Sequence, residues 1–382
     1  MVGESNADEK EKEVQIHGDV LEAILSYVPL IHLVPASGVS KTWKTAVYSS
    51  LKHARKEKNW LIVHAQGTRY PHSTSKHAYD PRSHVWIKIE KPLIESISTL
   101  RSSHSNLLYM LSPRKLSFSL DPLYLTWQEA NAPLSWRPDP IVASIGNHVI
   151  LGGGTCEFTD DPLAVQIYDV VLNKWDNCQP MPQILKDSAA TTWLSITVGH
   201  RQMFVTEKGS GITYTFNPET RTWSGPHNIR PDPTTYFCAI GFSGETLFLV
   251  TLIGDSENVK GAKLYKVNFE DFEVTEICEM PNIYVEKLKC ENSGLTSINL
   301  LCGDGIVYVH NSSDPREIVF CEFDGDGHGD EEIFQWGSVN NMAMNDGNLG
   351  ERFVFTCSRV DIEDLKKAFR MENRRFGMRL IG

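Results

Sequence analysis

HVILGGG at 148–154, VQIYDV at 165–170 and KWDNCQPMP at 174–182 form one pattern, and its reading decides the fold. The first segment is apolar and runs into three glycines, the second is apolar up to an Asp, and the third opens on Lys174 and Trp175. Short apolar runs bounded by turn residues are strands. A strand ending in Gly152, Gly153 and Gly154 needs a positive φ or a neighbouring backbone so close that no Cβ fits. Asp169 precedes Trp175 by six residues, and the same spacing recurs at Asp80 and Trp86, Asp121 and Trp127, and Asn217 and Trp223. The four tryptophans fall 41, 48 and 48 residues apart, the interval of one supersecondary unit repeated along the chain. Pro81, Pro122 and Pro218 follow three of these Asp or Asn residues, a pair that opens a type I turn. Each unit therefore contains a hairpin whose return strand begins near the tryptophan.

Outward from this repeat the signature erodes. KLYKVN (263–268) and FEVTEI keep Asn268 but carry Val274 in place of Trp, and in IVFCEFDGDGHGDEEIFQW a longer insert separates Asp324 from Trp336. RFVFTCS (352–358) reads as a last strand able to close a ring against WLIVHA (60–65), DIEDLKKAF as a terminal helix, and RRFGMRLIG as a mobile tail. The hydrophobic-GlyGly, Tyr-Asp, Trp grammar resembles the kelch repeat, one blade of a β-propeller. That resemblance spans residues 59–358 and implies a mostly β chain, a kelch-type six-bladed β-propeller of four-stranded blades. Trp86, Trp127, Trp175, Trp223 and Trp336 are expected to pack between blades; Trp60, Trp136 and Trp193 have no place in the motif.

Ahead of the repeat the periodicity is helical. Val20, Leu21, Ile24, Leu25 and Val28 fall on one stripe, Pro29 stops that helix, Leu30, Leu33 and Val34 form a second segment before Pro35 and Gly38, and Val39, Trp43 and Val47 recur every fourth residue. Three such short helices cannot bury all of these side chains against one another, so part of the apolar face awaits a partner. The stretch IHGDVLEAILSYVPLIHLVPASGVSKTWKTAV resembles an F-box, the all-α segment that docks on a Skp1-type protein in SCF ubiquitin ligases. Ile16 and His17 depart from it, standing where the family opens with Leu-Pro and so lacking the proline that pre-sets the first turn. The resemblance implies Skp1-binding roles for Leu21, Ile24, Leu25, Val28, Pro29, Leu33, Val39 and Trp43. The domain reading is a disordered tail over 1–13, F-box over 14–50, linker helix over 51–58, propeller over 59–358 and a C-terminal helix and tail over 359–382.

Composition limits the partners. Lys and Arg number 37 against 48 Asp and Glu, a net charge of −11 that repels nucleic acid. No run approaches the roughly 18 apolar residues of a membrane span. The polar start MVGESNADEKEKE is unlike a secretory leader, so the eight cysteines are expected as reduced thiols in the cytoplasm and/or nucleus. No catalytic residue, metal or cofactor is assigned. The glycine triplet lacks the Lys-Ser/Thr of a phosphate loop, Gly241–Gly244 reads as a turn, and the Asp324–Asp330 run lacks the bidentate Glu of a calcium loop. His72 and His77 stand without a ligand partner at metal spacing.

Together the two resemblances point to the F-box/kelch-repeat family of plants. They imply a non-catalytic adaptor of an SCF-type E3 ubiquitin ligase, bound through Skp1 to a cullin, whose propeller captures a protein for ubiquitination and proteasomal degradation. The helical stretch is most similar to the type that targets chalcone synthase, and phenylalanine ammonia-lyase is a second substrate of the family. The alternatives are a propeller scaffold without a ligase role and a copper-type propeller oxidase. Partner-binding loops should lie between second and third strands, at 66–76, 113–115, 154–164, 206–211, 254–262 and 310–316, with the connections between blades. Arg69, Tyr70, Asp160, Asp161, Lys208, Glu257, Lys260 and Arg316 are the candidates for substrate contact.

Overall fold

The computed structural model describes residues 18–53, 58–69, 72–90, 98–154, 161–290, 294–324, 333–346, 350–370 and 377–381. The chain forms two units, Met1–Arg55 and Lys56–Gly382. The smaller contains α1 (Asp19–Ser26), α2 (Leu30–Ala36) and α3 (Lys41–His53). Ser40 caps α3 by accepting from the Trp43 amide at 3.2 Å, and α1 and α2 both pack on α3. Because α3 runs on to His53, the expected linker helix begins inside the third helix; residues 54–57 and the expected tail over 1–13 lie outside the described residues.

The larger unit is a ring of six antiparallel sheets. In chain order these hold β1 (Trp60–Gly67), β2 (Thr74–Asp80) and β3 (Val85–Glu90); β4 (Leu100–Arg101), β5 (Leu108–Leu111), β6 (Lys115–Ser119) and β7 (Gln128–Asn131); β8 (Ile141–Ile145), β9 (His148–Gly152), β10 (Val165–Asp169) and β11 (Lys174–Asn177). The second half holds β12 (Leu194–Gly199), β13 (Gln202–Glu207), β14 (Ile212–Asn217) and β15 (Thr222–Asn228); β16 (Thr235–Ser243), β17 (Thr246–Gly254), β18 (Val259–Val267) and β19 (Val274–Met280); β20 (Ile298–Gly303), β21 (Ile306–Asn311), β22 (Glu317–Asp324) and β23 (Ile333–Asn340). β24 (Glu351–Ser358) returns to the first sheet and pairs with β1, Val63 opposite Phe355 and Leu61 opposite Cys357. The ring closes as expected, with the last blade strand completing the first blade. Contacts between β8 and β12, β12 and β16, β16 and β20, and β20 and β24 place these five strands side by side around the axis, β24 serving as the inner, first strand of the first blade.

The glycine triplet satisfies both of its readings. Gly153 and Gly154 have φ of 64° and 94°, and a Cβ on Gly153 would lie 2.5 Å from the Ala189 carbonyl oxygen. The Asp/Asn-to-Trp spacing also has a common geometry. Asp169 Oδ1 accepts from the amides of Val171 and Leu172 at 2.8 and 2.9 Å, and Asn217 Oδ1 accepts from Glu219 and Thr220 at 2.9 and 3.3 Å. Four residues after each turn-opening Asp or Asn the backbone turns left-handed, at His84, Leu125, Asn173, Arg221 and Phe272. Two residues later the Trp faces an aromatic on the preceding strand: Trp86 opposite Tyr79, Trp175 opposite Tyr168, Trp223 opposite Phe216.

Each repeat tryptophan packs against the blade before its own. Trp175 Nε1 donates to the Asn131 carbonyl at 3.0 Å and Trp223 Nε1 to the Gln179 carbonyl at 3.1 Å. Trp86 joins Tyr308 and Phe320 of the sixth blade, Trp127 packs against a cluster of Leu100, Leu108 and Val354 that includes β24 of the first blade, and Trp336 against the cluster that holds the fifth-blade residue Phe248. Trp60 is a core residue of β1.

The C-terminal segment differs from expectation. After α5 (Ile362–Arg370), β25 (Gly377–Ile381) pairs with the outer strand β3, Met378 opposite Ile89 and Leu380 opposite Ile87. Residues 377–381 of the tail read as mobile form a strand because the outer edge of β3 offers unpaired backbone groups that they satisfy. The structure adds α4 (Asn282–Leu288) and short 3₁₀ turns at Gln183–Ser188 and Met342–Asp346 in connections between blades.

Candidate protein-binding surfaces

In the helical unit the expected apolar stripe divides. Leu21, Leu25 and Leu33 are buried with Leu30, Ile31, Ala46 and Val47, whereas Val20, Ile24, Tyr27 and Val39 face solvent, the last three at 46%, 85% and 66% exposure. Val28, Pro29 and Trp43 are half-buried. Leu21, Leu25 and Leu33, expected at the partner contact, thus lie buried within the head itself. A run of apolar positions at offsets 0, 1, 4, 5 and 8 covers more arc than one neighbouring helix conceals, and the surplus edge stays exposed. Tyr27 and Val20, absent from the expected set, belong to that edge.

On the propeller, the loops between second and third strands and the connections between blades surround one mouth of the central channel. A cavity of about 910 Å³ opens there, lined by residues of the first strands and of these loops. A second cavity of about 500 Å³ opens at the opposite mouth, among turns such as Ser243–Gly244 and Gly303–Asp304. His104 lines both.

A polar cluster stands at the first mouth. Asp139 accepts from Arg101 Nη1 at 3.0 Å, Thr191 Oγ1 at 2.6 Å and Thr192 Oγ1 at 3.3 Å. Lys208 Nζ donates to the carbonyls of Thr191 and Thr192 at 3.2 and 3.1 Å. Burial pushes the Lys208 amine down to about 8, against a smaller opposing pull from Asp139. Across the cavity His310 stacks on Phe355 at 4.0 Å between ring centroids, and burial holds both His104 and His310 near 4. Arg316 forks onto Asp314, Nε donating at 2.8 and 3.0 Å and Nη2 at 2.6 Å, and this pairing keeps the Asp314 carboxyl below its ordinary value.

Of the eight loop candidates, Lys208 lines the cavity, and Arg316 reaches it through Asp314. Arg69 is exposed beside the lining residue Thr68. Asp161 lies off the cavity and is structural, its Oδ1 accepting from the Leu163 amide at 2.9 Å and its carbonyl from Arg137 at 2.8 Å. Glu257 on the fifth-blade loop and Lys260 at the start of β18 are exposed away from the cavity, and Tyr70 and Asp160 lie outside the described residues. Sequence reasoning missed Arg101, Asp139, Thr191 and Thr192, which sit at starts of first strands or in connections between blades. The Pro-Asp-Pro run at 138–140, just ahead of β8, was the available signal. Among the described residues no three His, Cys, Asp or Glu side chains converge as metal ligands.

A small helical head with exposed apolar side chains, carried on the same chain as a six-bladed propeller with a polar-lined channel mouth, defines the class of protein. Comparison with known proteins gives the family. The F-box domain family matches residues 18–55, and F-box/kelch-repeat protein At1g23390 of Arabidopsis thaliana is 41% identical over 375 residues, covering 94% of each chain. The chain belongs to the F-box/kelch-repeat proteins. Among solved structures it is similar to YjhT, 12% identical with a TM-score of 0.39, covering 65% of this chain and 80% of that one.

Proposed function

We propose that this chain is the substrate-recognition subunit of an SCF-type ubiquitin ligase, resident in the cytoplasm or nucleus. The observation that carries the proposal is the exposure of the apolar side chains Ile24, Tyr27 and Val39 inside a matched F-box, on a chain whose remainder is a kelch propeller. An F-box docks on a Skp1-type protein, and through it on a cullin. Such a subunit needs no nucleophile, because the thiolate that carries ubiquitin belongs to the E2. Its contribution is to hold a substrate lysine near that thioester, converting a bimolecular encounter into a nearly intramolecular one. The seven cysteines among the described residues are free thiols, in keeping with a reducing compartment.

The proposed substrates are phenylpropanoid or flavonoid enzymes, chalcone synthase first and phenylalanine ammonia-lyase second, following the helical-stretch resemblance. Reconstitution tests this. Purified chain with Skp1, cullin, RING partner, E1 and E2 should conjugate ubiquitin to chalcone synthase, and conjugation should stop when the chain is omitted. Ubiquitin transfer to neither enzyme, with Skp1 bound, rejects these substrates. A partner whose lifetime does not respond to proteasome inhibition favours the scaffold alternative.

A further inference from the structure

Two tryptophans outside the repeat, Trp136 and Trp193, are not core residues. They are 44% and 60% exposed, and Leu134 beside the first is exposed as well. The backbone under both is held. Ser135 Oγ accepts from Gln166 Nε2 at 3.2 Å, and the guanidinium of buried Arg137 donates to the carbonyls of Gly153 and Asp161 at 3.0 and 2.8 Å. The Trp193 amide donates to the Ala190 carbonyl at 3.0 Å, and its own carbonyl accepts from the Lys208 amide at 2.9 Å. Asp139, three residues after Trp136, accepts from Thr191 and Thr192, and so ties the two connections together. At ~3.5 Å per extended residue the two tryptophan Cα atoms lie within about 20 Å, a span that about six extended residues cover. Large aromatics presented on fixed backbone lose little conformational entropy when a partner covers them, the hallmark of an interface anchor.

Polar groups beside them give the partner its sign. The Asp139 carboxylate is occupied by Arg101 and two hydroxyls, and Asp314 by Arg316. Lys208 has three N–H donors, two of them on carbonyls, and exposed Arg352 at the same mouth forms no ion pair with a described residue. Glu351, the third carboxylate of the lining, also has a partner, so the carboxylates at this mouth are engaged while cationic donors remain, on a chain whose net charge is −11. The buried Lys208 ammonium is held at a solvation cost that an incoming carboxylate would offset.

We propose that Trp136 and Trp193 anchor an extended acidic segment of the protein partner, an apolar side chain lying on the indoles and a carboxylate reaching Lys208 at the channel mouth. The inference rests on the adaptor reading, for which it names the chemistry that the propeller receives.

The test uses the full chain and short synthetic peptides in matched series, each carrying Leu or Phe flanked by Glu, by Gln or by Lys, with binding read by fluorescence anisotropy. The Glu series should bind best and weaken as salt is raised. Trp136→Ala and Trp193→Ala should each lower affinity by about thirtyfold. Both variants should keep the wild-type thermal midpoint, since the rings are exposed. Equal or better binding of the Gln or Lys series, binding unchanged in both variants, or no binding by any series overturns the proposal. Skp1 binding, measured in parallel, separates the two readings. Its failure with wild-type chain removes the adaptor role, whereas peptide failure with Skp1 bound removes only the acidic segment.

Discussion

Lowering the pH from 7.5 to 5.0 should destabilise the propeller through two histidines in the walls of its channel. His104 and His310 are buried and held neutral, with pKa values near 4 against 6.5 for an unfolded chain. Between these values the unfolded state binds more protons, so their contribution is complete above about pH 6.5 and is lost as pH falls towards 4. At pH 5 each histidine costs about 2 kcal/mol and the pair about 4 kcal/mol, a large part of ordinary domain stability. Burial also depresses His64, which adds loss of the same sign. Asp176, Asp232 and Asp314, whose carboxyls are held low by hydrogen bonds, keep their contribution throughout this window and lose it only in stronger acid. For roughly 300 residues, an unfolding entropy of about 2.1 cal/mol/K per residue converts 4 kcal/mol into a fall of about 6 °C in Tm. The assay is a thermal melt followed by near-UV circular dichroism across the pH series. A midpoint that does not move between pH 7.5 and 5.0, or moves equally in the His104→Gln/His310→Gln double variant, would refute the reasoning.

Three further predictions concern the ring. Gly153→Ala places a Cβ against the Ala189 carbonyl, whereas Gly146, at φ 56°, has nothing within 4 Å; urea unfolding should show the first substitution costing about 2 kcal/mol more than Gly146→Ala. Trp175→Phe, which loses the bond to Asn131 while keeping an aromatic ring, should cost about 1–2 kcal/mol and Trp175→Ala about 3–5 kcal/mol in the same assay. Ending the chain after Ser358 removes α5 and β25 and should leave a cooperative melt, but ending it after Gly350 also removes β24 and should abolish that melt.

The repeat was legible because its chemistry is local. An Asp or Asn side chain bonding amides two and three residues on, then a tryptophan two residues past the left-handed position, writes each hairpin into a few letters. Strand counting likewise put Lys208 on a second-to-third-strand loop. What escaped was long-range. Arg101 meets Asp139 and Asp139 meets Thr191 across 38 and 52 residues, and no local pattern records such bonds. Periodicity found the apolar face of α1 but could not say which edge the bundle would cover, so Leu25 read as a partner contact while exposed Tyr27 passed unnoticed. β25 is five residues long, and only the free edge of β3 makes it a strand.

The central claim, that the helical head is a docking module, is tested most directly by Skp1 binding measured by isothermal titration calorimetry on the full chain. The account predicts a one-to-one complex with wild type, lost in an Ile24→Asp/Val39→Asp variant whose Tm is unchanged because both side chains lie on the surface. Leu25→Asp should instead unfold the head, since it buries a charge among Leu21, Leu33 and Val47. Wild-type chain that fails to bind Skp1, or a surface variant that binds as tightly as wild type, would contradict the account.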